Sequence, residues 1–222
     1  MPSSPEEKGF GQSSPELARW AESVFHPEDD VLAEIRKRSG REGLPAIAVG
    51  RFDGLHLEVL ARLIGARNAV EIGTLGGYSG VCLLRGMAKD GVLDTFELNE
   101  HHAEVARESF RRAGVAERVK IHVGSALEKL REIEREAPFD LCFIDADKVS
   151  YPAYLAWATE HLRIGGAVVG DNAFGFGNVA KVTGDEGVRA LRRFNEELAG
   201  GGRFLATMIP TEEGLALGVK VR

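Results

Sequence analysis

The chain has 222 residues, of which 44% are hydrophobic and 28% are charged, and its formal net charge is −6. These values are ordinary for a globular protein and exclude a largely disordered chain. Excess negative charge gives no overall attraction for a phosphate backbone, so nucleic acid is a disfavoured partner. There is no leader pattern at the start and no apolar run near the roughly 20 residues that cross a bilayer. We therefore expect a cytoplasmic protein with no membrane partner.

The start of the chain differs in composition from the rest. Residues 1–14 are rich in Ser, Pro, Gly and charge, which predicts a flexible N-terminal arm, and residues 15–222 are expected to form a single domain. Ser14 can cap a helix that has Pro15 at its first position. A second helix is expected over about residues 28–38. The two helices precede the sheet, and the sequence leaves open whether they cover a cofactor or make subunit contacts.

From about residue 55, helical and strand patterns alternate along the chain. The first five strand patterns end at Ile72, Glu97, Val123, Ile144 and Gly170. Helical crossovers between them imply parallel pairing. Two last strands, over about residues 204–209 and 215–221, are joined by a short link that suggests an antiparallel pair. The prediction is an α/β protein with a Rossmann-like, seven-stranded, mostly parallel sheet and an antiparallel last strand. Helices are expected on both faces, in addition to the N-terminal helices.

A glycine-rich segment, Glu71-Ile-Gly73-Thr-Leu-Gly-Gly-Tyr-Ser79, follows the first strand pattern and opens a helix. Its glycines allow the backbone to approach a ligand closely, but the spacing fits neither G-x-G-x-x-G nor a P-loop. Glu97 ends the second strand, where a carboxylate can accept hydrogen bonds from both ribose hydroxyls. An acid at Glu71 suits an ammonium or sulfonium group better than a pyrophosphate. The segment therefore favours S-adenosylmethionine over NAD.

Two later strand patterns end at acidic residues, Asp145 and Asp171, and Asn172 follows the second of them directly. Because the carboxyl ends of parallel strands meet at one edge of a sheet, these three oxygen donors are expected to lie together. Hard oxygen ligands suit Mg²⁺ best, with Mn²⁺ or Ca²⁺ as alternatives. Three positions of an octahedral ion would remain for two vicinal oxygens of a catechol-like substrate and one water.

Lys148 comes three residues after Asp145, close to the expected metal. Neighbouring positive charge and burial would lower its pKa and favour proton acceptance, so Lys148 is the predicted catalytic base. The alternative is a solvated lysine paired with Asp147.

We expect Tyr151 to be a packing residue, and we expect the six histidines to be surface or capping residues because they lack metal-ligand spacing.

Three motifs occur in this order along the chain: Glu-Ile-Gly-Thr-x-x-Gly-Tyr-Ser, Asp-Ala-Asp-Lys and Asp-Asn. Through them the chain resembles, from about residue 44 onward, the S-adenosylmethionine-dependent O-methyltransferases of the caffeoyl-CoA and catechol O-methyltransferase family. The resemblance implies a homodimer and cofactor contacts. The implied contact positions are Val49, Glu71, Gly73, Ser79, Glu97, Ala126 and Asp145. The function expected is magnesium-dependent methylation of a hydroxyl on a catechol-like or hydroxylated aromatic molecule, including one carried as a CoA thioester.

Other functions stay open at this point. Relatives of the family methylate a hydroxylated nucleoside in tRNA, although the acidic charge argues against RNA. A noncatalytic adenosyl-binding regulator is disfavoured by the intact metal and lysine positions, and an NAD-dependent oxidoreductase by the glycine spacing. Phe174 and Phe176, after Asn172, either stack on an aromatic acceptor or pack in the core, so the acceptor is not identified.

Overall fold

The computed structural model describes residues 14–182 and 184–222, so the arm expected over residues 1–14 lies outside the described residues except for Ser14. The described residues form α-helices and β-strands that alternate through the middle of the chain. The helices are α1 Pro15–Phe25, α2 Asp30–Arg41, α3 Arg51–Leu63, α4 Tyr78–Gly86, α5 Glu100–Arg112, α6 Ala126–Ile133, α7 Tyr151–His161 and α8 Glu186–Gly200. The strands are β1 Asn68–Ile72, β2 Val92–Glu97, β3 Val119–Val123, β4 Phe139–Ile144, β5 Leu162–Gly170, β6 Phe204–Ile209 and β7 Leu215–Lys220.

The seven strands form one sheet in the order β3-β2-β1-β4-β5-β7-β6. Strands β1 to β5 pair in parallel, and β7 runs antiparallel to both β5 and β6. Ile72 pairs with both Phe96 and Ile144, and Ile144 pairs with Gly170. The residues that follow these positions therefore share the carboxyl edge of the sheet. The predicted fold class is confirmed.

Both faces of the sheet are covered by helices because its central strands are apolar on both sides. Along β4, Leu141 and Phe143 face a core built with α2 to α5, whereas Cys142 and Ile144 face a core built with α7 and α8. This alternation is the two-residue period of a strand. Two hydrophobic cores therefore hold the carboxyl edge in place from opposite sides.

The N-terminal helices begin at polar caps. The Ser14 hydroxyl accepts the Leu17 amide at 3.4 Å, and the Asp29 carboxylate accepts the Leu32 amide at 3.0 Å, which satisfies donors of the first turns of α1 and α2. Helix α2 packs into the first core, whereas α1 buries only Ala21. Helix α1 therefore leaves a large part of its apolar surface exposed.

The structure departs from the predicted boundaries mainly at β5. This strand begins at Leu162 rather than near residue 166, and its ladder with β4 shifts register between Phe139 and Leu141. Gly165 and Gly166 interrupt the apolar pattern there, which hid the first half of the strand from the sequence analysis. Among the described residues, none of the helices combines the length and the apolar character that a membrane crossing requires.

Candidate active site

A cavity of about 610 Å³ opens at the carboxyl edge of the sheet, which is a usual size for a small-molecule site. Most of the residues expected to bind cofactor or metal line this cavity. They are Val49, Gly73, Ser79, Glu97, Ala126, Asp145, Lys148 and Asn172. The other two, Glu71 and Asp171, are fully or almost fully buried behind its wall. One cavity therefore joins the predicted cofactor residues to the predicted metal and base residues.

The glycine-rich turn after β1 forms part of the cavity wall. Gly73 has a φ of +100°, and a Cβ there would lie 2.0 Å from the carbonyl oxygen of Asp145. Its amide donates to the carbonyl of Phe96 at 2.9 Å. Only glycine permits this close approach, which joins the turn to the ends of β2 and β4.

Glu71 lies behind the turn with its carboxylate fully buried. Its Oε1 accepts the Ser79 hydroxyl and its Oε2 accepts the Thr95 hydroxyl, both at 2.6 Å. Burial raises the pKa of Glu71 to about 7, and the nearby charges of Asp145 and Glu97 add to the rise. Glu71 thus holds Ser79, whereas Ser79 itself lines the cavity. A direct contact between the Glu71 carboxylate and a bound cation stays a prediction.

Glu97 has a carboxylate that is held in one orientation by backbone amides. Its Oε2 accepts Leu75 N–H at 2.8 Å and Thr74 N–H at 3.3 Å, and its Oε1 accepts Asn99 N–H at 2.9 Å. His102 Nδ1 lies 3.5 Å from Oε1. A fixed carboxylate at this point of the cavity is suited to accept hydrogen bonds from a diol such as a ribose.

Lys148 and Asp145 line the cavity after the end of β4, and Asp171 is buried close to them. Lys148 Nζ donates to Asp145 Oδ1 at 2.9 Å and to the Tyr151 hydroxyl at 3.0 Å. Burial alone would lower the pKa of Lys148, but Asp145, Tyr151 and Asp171 raise it above its ordinary value. The acids therefore favour the charged amine in this structure, whereas the sequence predicted a lowered pKa for Lys148 beside a metal.

The donor set at this end fits a hard divalent cation in its chemistry. Asp145 and Asp171 follow paired strand ends, and Asn172 adds an amide oxygen. The Lys148 ammonium already lies against Asp145, which shows that these acids attract positive charge. Within residues 14–182 and 184–222, no three His, Cys, Asp or Glu side chains cluster as metal ligands, so the set depends on the Asn172 amide.

The two phenylalanines of the loop after β5 differ in position. Phe176 lines the cavity mouth and is 51% exposed. The Phe174 ring instead packs over Gly214, where a Cβ would lie 2.8 Å from the ring. The sequence left open whether these rings stack on an acceptor or pack within the protein. Phe176 lies beside the cavity, where it could contact an acceptor, whereas Phe174 is a packing residue.

A sequence model of the O-methyltransferase family matches residues 21–221. The chain belongs to this family. A catechol O-methyltransferase of Mycobacterium tuberculosis is 41% identical over 179 residues, covering 81% of each chain, and one of Niastella koreensis is 37% identical over 200 residues, covering 86% of this chain and 90% of the relative. The crystal structure of the O-methyltransferase TomG from Streptomyces achromogenes, involved in tomaymycin synthesis and in complex with SAM, matches with a TM-score of 0.86. It is 37% identical, covering 93% of this chain and 96% of TomG.

Three residues beside the site of this O-methyltransferase were missed from sequence. His102 lines the cavity, although the histidines were expected at the surface or in caps. Tyr151 packs edge-on against Phe194 with 5.3 Å between ring centroids, but its hydroxyl also contacts Lys148. Glu213 contacts Asn172. His102 lies in the first turn of α5, which begins three residues after Glu97, and that position was the available signal. The other two residues depend on tertiary contacts.

Proposed function

We propose that this O-methyltransferase transfers a methyl group from S-adenosylmethionine to a hydroxyl of a catechol-like or hydroxylated aromatic molecule, with Mg²⁺ or a similar divalent cation. The observation that carries the proposal is the single cavity in which Glu97 lies at one end and Asp145 with Lys148 at the other. Two relatives are named catechol O-methyltransferase, and TomG was solved with SAM. A homodimer is also proposed, through the exposed apolar face of α1.

The end of the cavity with Glu97 would take the adenosyl group. Glu97 would accept hydrogen bonds from the ribose hydroxyls. Its three hydrogen bonds from backbone amides hold the carboxylate in one orientation. Ser79 donates its hydroxyl proton to Glu71, so its oxygen would accept a hydrogen bond from the methionine ammonium, which Asp145 also attracts. Val49, Gly73 and Ala126 would contribute backbone contacts. These contacts orient the methyl group toward the acidic end, where the gain in rate comes from positioning.

At the acidic end, Asp145, Asp171 and Asn172 would hold the divalent cation. When bound, such an ion supplies a Lewis acid that makes an acceptor hydroxyl more acidic. Lys148 would take the hydroxyl proton at Nζ while the acceptor oxygen bonds to the methyl carbon and the carbon–sulfur bond breaks. Asp145 and Asp171 favour the protonated amine, so Lys148 can accept a proton only when another positive charge compensates these acids.

The test is methyl transfer from labelled S-adenosylmethionine to a panel of catechols, caffeoyl-CoA and tRNA. We expect transfer to one phenolic acceptor that is abolished by EDTA and restored by Mg²⁺. Asp171→Ala should lower kcat/KM at least about 100-fold because it removes a proposed metal ligand. The exposed Asp90→Ala is the matched control and should behave as wild type.

Binding of S-adenosylmethionine to Asp171→Ala, measured by calorimetry, separates loss of the metal from loss of the fold. Full activity in EDTA would refute the metal requirement. Salt-sensitive methylation of tRNA without turnover of any phenol would refute the small-molecule acceptor.

A further inference from the structure

Glu213 lies beside the proposed metal ligand Asn172, in the turn between β6 and β7. Asn172 Nδ2 donates to Glu213 Oε2 at 3.3 Å. Both residues are buried, with exposed fractions of 6% and 7%, and both line the cavity. A carboxylate that sits against a proposed ligand inside the site has no role in the function described so far.

Backbone contacts hold the two turns together whatever the Glu213 side chain does. Ala173 N–H donates to the carbonyl of Gly214 at 2.9 Å, and Phe174 N–H donates to the carbonyl of Glu213 at 3.1 Å. Gly214 has a φ of +76°, and the Phe174 ring packs against it. The Cα of Glu213 is therefore placed by the main chain, so a change of its side chain can be tested without removing these contacts.

The chemistry of the contact fixes the direction of the Asn172 amide. A carboxylate oxygen accepts hydrogen bonds, and the atom of Asn172 that faces Glu213 Oε2 is the nitrogen of its NH₂ group. The amide oxygen is then the atom of the side chain that does not face Glu213. Without Glu213, the amide could turn over and present NH₂, which repels a cation, in place of the oxygen.

We propose that Glu213 is a positioning residue that orients Asn172 so that its amide oxygen, and not its NH₂ group, faces the divalent cation. The inference rests on the proposed function, because it needs Asn172 to be a metal ligand. Outer partners of metal ligands typically contribute about 10- to 100-fold in metal affinity. The alternative is that Glu213 is itself a ligand, and the two roles differ in their need for negative charge.

The experiment measures the Kd of Mn²⁺ alone by electron paramagnetic resonance, without substrate or turnover. We expect Glu213→Ala to raise this Kd about tenfold or more, whereas Glu213→Gln, whose amide oxygen can still accept from Asn172, stays within about threefold of wild type. The double variant Asn172→Ala/Glu213→Ala should bind no more weakly than Asn172→Ala, because the effect of Glu213 passes through Asn172. The adjacent and exposed Glu212→Ala is the control and should match wild type.

Each result decides a different point. Equal losses in Glu213→Gln and Glu213→Ala, or additive losses in the double variant, would overturn the positioning role in favour of direct ligation. A wild-type Kd in Glu213→Ala, with a loss in Asn172→Ala, would overturn this inference and leave the proposed function standing. Absence of Mn²⁺ binding to wild type, together with activity in EDTA, would overturn the metal-dependent function and the inference with it.

Discussion

Glu71 carries a fully buried carboxyl group whose two oxygens accept hydrogen bonds from Ser79 and Thr95. Two hydroxyl donors partly compensate the loss of hydration, but they do not offset it, and the pKa is raised to about 7. The sequence located this acid at the end of β1 without showing which side its carboxylate faces. That direction depends on Thr95 of the neighbouring strand and Ser79 of α4, which only the fold brings together.

The buried Glu71 carboxyl group should make the stability of the fold depend on pH. The folded protein keeps a proton on Glu71 between its ordinary pKa of 4.5 and about 7, whereas the unfolded chain has lost it. The free energy of unfolding should therefore fall as pH rises from 5 to 8, by at most about 3 kcal/mol from this group. Urea denaturation of cofactor-free protein should show this fall in wild type and a smaller fall in Glu71→Gln. The exposed Glu117→Gln is the control, and equal falls in Glu71→Gln and wild type would contradict the prediction.

Helix α8 holds the loop that follows β5 and so shapes the mouth of the cavity. Asn195 Nδ2 donates to the carbonyl of Ala173 at 2.8 Å, and Arg192 Nε donates to the carbonyl of Val179 at 2.7 Å. Arg192 also donates to the carbonyl of Lys181. Side chains from one helix thus satisfy carbonyls of a loop whose own backbone hydrogen bonds close short turns.

Removing these contacts should loosen the loop and leave the cofactor end unchanged. Arg192→Ala is expected to speed proteolytic cleavage within residues 173–182 by about 5- to 30-fold, because one or two kcal/mol of local stability is lost. The KM for a phenolic acceptor should rise, while the Kd for S-adenosylmethionine stays the same. Arg193→Ala, exposed at the next position, is the matched control. A change in cofactor affinity without faster cleavage would show that the loop contacts are not what Arg192 provides.

At the level of elements, the sequence was sufficient where a single pattern decides the structure. Strands β3, β4 and β6 have the predicted bounds, since turn residues on either side mark their ends, whether the strand is buried like β4 or lies at an edge of the sheet like β3 and β6. The cavity could be placed because parallel strands deliver their ends to one edge. The contact between Asn172 and Glu213 could not be predicted in this way. It joins two turns that are 41 positions apart in the chain, and the conformations of these turns depend on tertiary packing.

Helix α1 bears on the assembly of the whole molecule, because within residues 14–182 and 184–222 few side chains cover its apolar residues. Trp20 is 57% exposed and Phe25 is 58% exposed, and Leu17 and Val24 add to the same surface. A helix that buries only Ala21 gains little stability from its own chain. The family resemblance implied a homodimer, and this surface is where we propose that the second copy binds.

Sedimentation velocity tests the proposed dimer. Wild type should sediment with twice the mass of one chain at micromolar concentration, and Trp20→Lys should raise the dimer Kd at least about tenfold, because a buried aromatic anchor is replaced by a charge. Leu205→Lys alters an exposed apolar residue on β6 instead, so it should not change association. A monomeric wild type over the whole concentration range would refute the dimer.

The strand order has a consequence for how the chain matures during synthesis. Strand β7 lies between β5 and β6, although it is the last of the seven in the chain. When β6 leaves the ribosome, the sheet therefore offers it no partner until β7 has also emerged. The elements that carry Ser79, Glu97 and Asp145 can assemble earlier, because their strands are consecutive neighbours or nearly so. We therefore expect the part of the site with Ser79, Glu97 and Asp145 to form first during synthesis, and the contact between Asn172 and Glu213 to form last.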